Sequence, residues 1–280
     1  MVTYYELGTK RQLNEVVFAG THDAGITGGG SGVQTQSLNI LQQAIGGVRF
    51  CDVRVAAAVT SQTHSSGRPV AELRAFHADD KVVMKLDRNV VLKGKDDPSR
   101  VKQSKLAGGA FGLALSRMLE QAKDFVESQI GRNEFLILKL DKCTNWIQIA
   151  SACWDALGKT RYTGGGNLNT KTLGELRGQV IVLFSAEGLS ELPAQKGGIL
   201  GFKDLSSDGA ACDPMWDAPN ISKMKALWSQ GLSDFVSARV SLPSTNPFPN
   251  IVMTDFADHT RCKQFRDLND PTAEHLSALS

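Results

Sequence analysis

A chain of 280 residues, 41% hydrophobic and 21% charged, is long enough to bury a large core and too apolar for disorder. Thirty-one basic residues against 29 acidic ones leave a formal charge of +2 with no run of Lys and Arg, which excludes a reader of the nucleic-acid backbone. Five cysteines, Cys51, Cys143, Cys153, Cys212 and Cys262, are odd in number and never as close as Cys-x-x-Cys, so reduced, buried thiols are expected rather than a disulfide framework or zinc site.

The first residues, MVTYYELGTKRQ, carry no charged-then-apolar leader pattern. Nowhere does an apolar run approach the about 18 residues that a membrane span requires. Short apolar runs then recur along the chain with helical or loop-like segments between them, the alternation of an α/β fold. In order, strands are expected at VVFAG (16–20), VRFCDVRV (48–55), KVVMKL (81–86, paired with RAFHA, 74–78), EFLILKL (134–140), QVIVLFS (179–185) and IVMTDFA (251–257). Their continuous apolarity suits strands buried on both faces.

Between them, LNILQQAI (38–45) reads as a short helix closed by Gly46-Gly47. Leu115, Leu119, Ala122, Phe125, Val126 and Ile130 follow a 3.6-residue period that ends at Gly131. Ile147, Ala150, Trp154 and Leu157 give a third apolar stripe, and Ile221, Met224, Leu227 and Trp228 a fourth. The charged stretch 93–105 and the turn-rich TGGGN (163–167) and SLPSTNPFPN (241–250) read as loops, as does TSQTHSSGRP with His64. No repeat or linker divides the chain, so residues 1–280 are expected as one domain, close to the roughly 250 residues of a (β/α)8 barrel.

Polar residues gather where these runs end. VVFAGT leads to His22-Asp23; VRFCDVR holds Asp52 and Arg54; RAF leads to His77; FLIL leads to Lys139 and Asp141; VIVLF leads to Ser185 and Glu187; IVMT leads to Asp255. A parallel barrel brings its C-terminal strand ends to one face, the face that carries chemistry. Two imidazoles there could serve as base and acid of one reaction, each oriented by a carboxylate on its other nitrogen. An arginine adds a planar, permanently charged fork suited to phosphate. The combination points to phosphoryl transfer or phosphodiester cleavage. The glycine-rich GITGGGSG (25–32) lacks the Gly-Lys-Ser/Thr ending of a phosphate loop and reads as a loop beside the site.

GTHDAG, CDVR, FHADD, EFLILKL, RGQVIVLFS and IVMTDF, in that order across almost the whole chain, resemble the bacterial phosphatidylinositol-specific phospholipases C. The resemblance implies a single distorted (β/α)8 TIM barrel that cleaves phosphatidylinositol to diacylglycerol and a cyclic inositol phosphate. On that resemblance His22 is the general base and His77 the general acid. Asp255 orients His22, Asp23 orients His77, Arg54 binds the phosphate, and Asp52 steadies Arg54 or His22. Inositol ligands are expected at Lys139, Asp213 and Trp216, with Arg177 a weaker candidate.

The eukaryotic relatives carry an acidic calcium ligand where Arg54 stands, so neither metal nor other cofactor is expected. The expected partner is a phospholipid at a membrane surface, met by a monomer of the secreted type, without a transmembrane segment. Two departures, Ala24 for a small hydroxyl residue and Ala78 for glycine after His77, leave the recognised head group open. The alternatives are a metal-dependent glycerophosphodiesterase or sphingomyelinase-D-like phosphodiesterase on the same barrel, or an inactive lipid-binding relative.

Overall fold

The computed structural model describes residues 1–30, 32–78, 83–106, 108–193, 197–202 and 251–269, with the backbone alone for 83–87. Its framework is a six-stranded, wholly parallel sheet: β1 (Phe18–Thr21), β2 (Val48–Val53), β8 (Phe135–Leu140), β9 (Gln179–Phe184), β10 (Leu200–Gly201) and β11 (Ile251–Thr254). They lie in the order β10-β9-β8-β2-β1-β11. Every residue of β1, β2 and β11 is buried, which is why these strands read as unbroken apolar runs rather than as alternation. The protein is therefore α/β with a parallel sheet.

Helix α1 (Ile40–Gly46) starts at a capping box, in which Asn39 and Gln42 exchange side-chain-to-backbone hydrogen bonds. It stops at Gly47, with φ +122, where an added Cβ would lie 2.7 Å from Cys262. Helix α2 (Leu115–Glu127) buries Leu115, Met118, Leu119, Ala122, Phe125 and Val126, one stripe at i, i+3, i+4 spacing. Helix α3 (Trp146–Leu157) turns a different face inward than its sequence suggested. Trp146, Ile149, Ala150, Cys153 and Leu157 are buried, while Ile147 is 53% exposed. This helix is apolar nearly all round, so period alone did not fix its phase. The short α4 (Leu173–Leu176), α5 (Ala186–Ser190) and the later α6 (His259–Asp267) complete the described α-helices.

Between β2 and α2 the chain does not follow a simple strand-helix alternation. It builds a second, mostly antiparallel sheet from β3 (Val55–Thr63), β4 (Pro69–His77), β5 (Val83–Leu92), β6 (Pro98–Leu106) and β7 (Ala110–Ala114). The single strand expected over 48–55 is thus two, β2 and β3, with Arg54 at the break. The stretch 93–105, expected as a loop, supplies most of β6, which pairs antiparallel with β5 from Val83↔Leu106 to Val91↔Pro98. Expected as loop, 60–69 is largely a β3–β4 hairpin whose turn is closed by the His64 N–H donating to the Arg68 carbonyl at 2.8 Å. Residues 60–69 themselves are polar and mostly exposed, so no apolar run announced this part of the hairpin. Strand β4 pairs antiparallel with both β3 and β7.

Two charged residues lie in the floor of the molecule. Arg49 and Glu134, 0% and 1% exposed, form an ion pair of 2.9 Å. The other Arg49 donors reach the carbonyls of Ala44, Val48 and Val2, and Glu134 accepts the amides of Tyr4 and Tyr5. The guanidinium also lies 5.2 Å from the Tyr4 ring centroid and 5.0 Å from that of Phe125. Cys51, Cys143, Cys153 and Cys262 are free and buried, as expected, and burial pushes the thiols of Cys51, Cys153 and Cys262 up to about 12. No helix among the described residues is long and apolar enough to cross a membrane. Asp213, Trp216, Cys212, the helix expected at Ile221–Trp228 and the loop expected at 241–250 lie outside the described residues.

Candidate active site

Beyond Thr21 the chain leaves β1 in a tight turn. The His22 N–H donates to the Thr254 carbonyl at 3.3 Å, and Asp23 takes a left-handed backbone, φ +42. Ala24 N–H then donates to the Asp52 carbonyl at 2.8 Å, tying the turn to the end of β2. The Asp23 side chain is left inside the molecule, 1% exposed.

Asp23 is the hub of the cluster. Its carboxylate accepts Nε of Arg54 on Oδ1 at 2.8 Å and Nη2 of Arg54 on Oδ2, a paired contact between two planar groups. Oδ2 also meets Nδ1 of His77 at 2.6 Å and lies 3.5 Å from Nε2 of His22. Burial alone would raise the Asp23 pKa. The hydrogen bonds from His77 and Arg54 outweigh it and bring the pKa down to about 2, so the carboxylate stays ionised across the neutral range.

Arg54 Nη2 lies 3.2 Å from the same Nδ1 of His77, which cannot both accept from Arg54 and donate to Asp23. The shorter, charge-assisted contact to the carboxylate assigns the proton to Nδ1 and leaves Nε2 of His77 for chemistry. Across the site, Nδ1 of His22 lies 3.3 Å from Oδ1 of Asp255, which leaves Nε2 of that ring for chemistry too. Burial works to lower the His22 pKa. The Asp255 hydrogen bond and the negative charges of Asp23, Asp255 and Asp52 overcome it and hold the pKa above its ordinary 6.5. The two rings stand edge to face, centroids 6.5 Å apart and planes at 81°.

Strand β4 delivers His77 from the antiparallel sheet, not from the parallel one. Its register partner in β7 is Ala110, next to Gly109, whose φ of +92 admits glycine readily. A Cβ at Gly109 would fall 1.8 Å from the His77 carbonyl oxygen, so only a bare backbone fits against the histidine. Arg54 is fixed at the β2–β3 break. Phe76 N–H donates to its carbonyl at 3.0 Å, the following Val55 N–H donates to Sγ of Cys143 at 3.2 Å, and the guanidinium carbon stands 6.0 Å from the Phe76 ring centroid.

Of the two partners expected for Asp52, Arg54 or His22, it is His22 on which its charge acts. Asp52 pairs with Nζ of Lys139 at 3.0 Å, its register neighbour on β8. Burial raises the Asp52 pKa against the opposing pull of Lys139. Lys139 also lies 3.5 Å from Asp141 and 4.9 Å from the centroid of Phe202, a neighbour with no motif to announce it. Of the ten residues singled out in the sequence, His22, Asp23, Asp52, Arg54, His77, Lys139 and Asp255 thus belong to one connected cluster. Arg177 directly precedes Gly178 and β9, at the N-terminal end of that strand.

His22, Asp23 and Asp52 each offer one ligand atom within 4.8 Å of the others, a spacing that a metal ion could bridge. Both carboxylates, however, already face side-chain cations, Arg54 on Asp23 and Lys139 on Asp52. A divalent ion would add its charge beside two fixed positive groups, at a Coulombic disadvantage in this buried setting.

At the level of sequence, no family model matches the chain and no curated protein matches it. The fold does match. A phosphatidylinositol-specific phospholipase C from Listeria monocytogenes superposes with a TM-score of 0.56 at 15% identity, covering 95% of this chain and 96% of that one. A mutant of the Staphylococcus aureus phosphatidylinositol-specific phospholipase C gives 0.47 at 16% identity, over 89% and 74%. A calcium-dependent phosphoinositol-specific phospholipase C from a Pseudomonas species gives 0.39 at 11%, over 71% and 70%. The chain resembles bacterial phosphatidylinositol-specific phospholipase C, and what it shares with the Listeria protein is the fold.

Proposed function

We propose that this protein is a metal-independent phosphodiester lyase that cleaves phosphatidylinositol into diacylglycerol and a cyclic inositol phosphate. One observation carries the reading: two histidines, each engaged at Nδ1 by its own aspartate, stand with ring centroids 6.5 Å apart beside an arginine that is held by Asp23. The Listeria protein that shares the fold is named for this class of substrate, which supports the choice of head group.

In the proposed reaction Nε2 of His22 takes the proton of the inositol 2-hydroxyl, whose oxygen attacks the adjacent phosphorus. A new ring O–P bond forms as the glycerol O–P bond breaks, and Nε2 of His77 gives its proton to the departing diacylglycerol oxygen. Arg54 neutralises charge that builds on the phosphate oxygens, while Asp23 keeps Arg54 and the His77 tautomer in place. Solvent then returns each histidine to its starting state. Lys139 supplies a charged hydrogen-bond donor to ring hydroxyls; Asp213 and Trp216 retain that role as proposals. The whole chain acts as one catalytic domain at a phospholipid surface, as a monomer.

The test is cleavage of phosphatidylinositol vesicles in excess EDTA, with the product identified by phosphorus NMR. Chelator-resistant formation of a cyclic phosphate, lost on His22→Ala and on His77→Ala, is expected. Because His22, Asp23 and Asp52 have ligand spacing, activity that disappears with EDTA and returns with calcium or magnesium would instead establish the metal-dependent alternative. Binding of the lipid with no turnover, unchanged in both variants, would identify a lipid-binding relative.

A further inference from the structure

Gln36 is fully buried between the ends of β1 and β11. Its side chain makes three hydrogen bonds, all to backbone. Nε2 donates to the carbonyls of His22 and Thr254, each at 3.1 Å, and Oε1 accepts the N–H of Ala257 at 3.1 Å. Thr254 and Ala257 bracket Asp255, so one amide grips the backbone of the histidine and both flanks of the aspartate that faces it. Thr35 reinforces the grip: its hydroxyl donates to the Asp23 carbonyl at 2.9 Å, and its carbonyl accepts the N–H of Phe256 at 2.7 Å.

The backbone held in this way is not relaxed. Asp23 at φ +42 and Phe256 at φ +48 are left-handed residues with side chains, a conformation that persists where surrounding bonds over-determine it. Two donors and one acceptor in a fixed plane are what the site uses, and only a carboxamide offers them. A glutamate in that place would turn oxygen toward two carbonyls, and a methionine would leave all three groups unpaired in the interior.

We infer that Gln36 is a positioning residue that sets the separation of His22 and Asp255 and thereby aligns the imidazole of the proposed reaction. The inference rests on the reading of His22 as the base. Charged or titratable groups reach His22 from Asp255 after β11, Asp23 after β1, Asp52 on β2 and His77 on β4, with Arg54 acting through Asp23. Of these, Asp255 is the one whose flanking backbone Gln36 holds, alongside Arg261, whose Nη1 donates to the Phe256 carbonyl at 2.7 Å.

Gln36→Met and Gln36→Glu are to be compared with Asp255→Asn, in excess chelator, by lipid turnover and by NMR titration of the His22 ring. Expected is a fall in kcat of roughly 10- to 100-fold with KM little changed. The His22 midpoint should move in the direction taken by Asp255→Asn. A folded Gln36→Met that keeps the native His22 midpoint and kcat overturns the inference. The titration requires no turnover, so a parent chain inert toward the lipid would defeat the proposed function while the His22 midpoint still decides on Gln36. If neither variant folds, deuterium exchange at the Ala257 amide of the unmodified chain decides: strong protection supports the bond to Gln36, and free exchange overturns it.

Discussion

Asp23 binds the acid side of the site to the base side through a single peptide unit. Because its carboxylate meets His77 at 2.6 Å and Arg54 on both oxygens, Asp23→Ala should impair protonation of the leaving group more than activation of the nucleophile. A substrate with a strongly acidic leaving alcohol should then recover much of the lost rate in Asp23→Ala and none in His22→Ala. Equal recovery in both, or in neither, would contradict the division of roles. The pH profile gives a second residue-level prediction. His22 must be neutral to accept a proton, and its pKa is raised, so kcat/KM should decline on the acid side with a midpoint above 6.5. Asp255→Asn removes the leading cause of the rise, and the acid limb should move to lower pH. Asp23 adds a pH-dependent contribution to stability. Its folded pKa of about 2 lies below the ordinary 3.8, so the stabilisation, about 2 kcal/mol, is complete above pH 3.8 and is lost as the pH falls toward 2. His22, Asp23 and Arg54 were visible in the sequence because strand ends collect charged groups that cannot be core. Gln36 was not, since a neutral amide bonded only to backbone has no partner that spacing can reveal.

At the scale of elements, the parallel strands were legible and the antiparallel sheet was not. Strands β1, β2, β8, β9 and β11 are buried on both faces and so leave continuous apolar runs, whereas β6 exposes Arg100 and Lys102 on the face opposite buried Val101. Those charges resembled a loop because they line the solvent face of a strand. The position of His77 depends on this second sheet. Gly109→Ala would drive a Cβ to 1.8 Å from a backbone carbonyl, which no side-chain rotation can relieve. Expected are a loss of roughly 1–3 kcal/mol in stability from the positive φ and a larger proportional loss in kcat, as β4 shifts and takes the histidine with it. Denaturant unfolding and turnover of the same variant check the two effects separately. A variant with native turnover would show that β7 does not set the His77 position.

Across the whole molecule, polar groups divide between two tasks. The cluster around Asp23 engages both imidazoles at Nδ1, whereas Arg49 and Glu134 spend their hydrogen bonds on structure. Breaking this second pair by Glu134→Ala should cost about 3–5 kcal/mol, because a buried guanidinium would lose its counter-charge and the Tyr4 and Tyr5 amides their acceptor. The lowered thermal midpoint should be accompanied by unchanged lipid turnover at temperatures where the variant remains folded. Neither residue was singled out in the sequence, where Arg49 follows Val48 and Glu134 precedes Phe135 as ordinary charges at strand starts. The same bonds make a short surface segment part of the interior's electrostatics. Val2, Tyr4 and Tyr5 close the shell of a buried ion pair, so excising residues 2–5 should be as damaging as a substitution deep in the core.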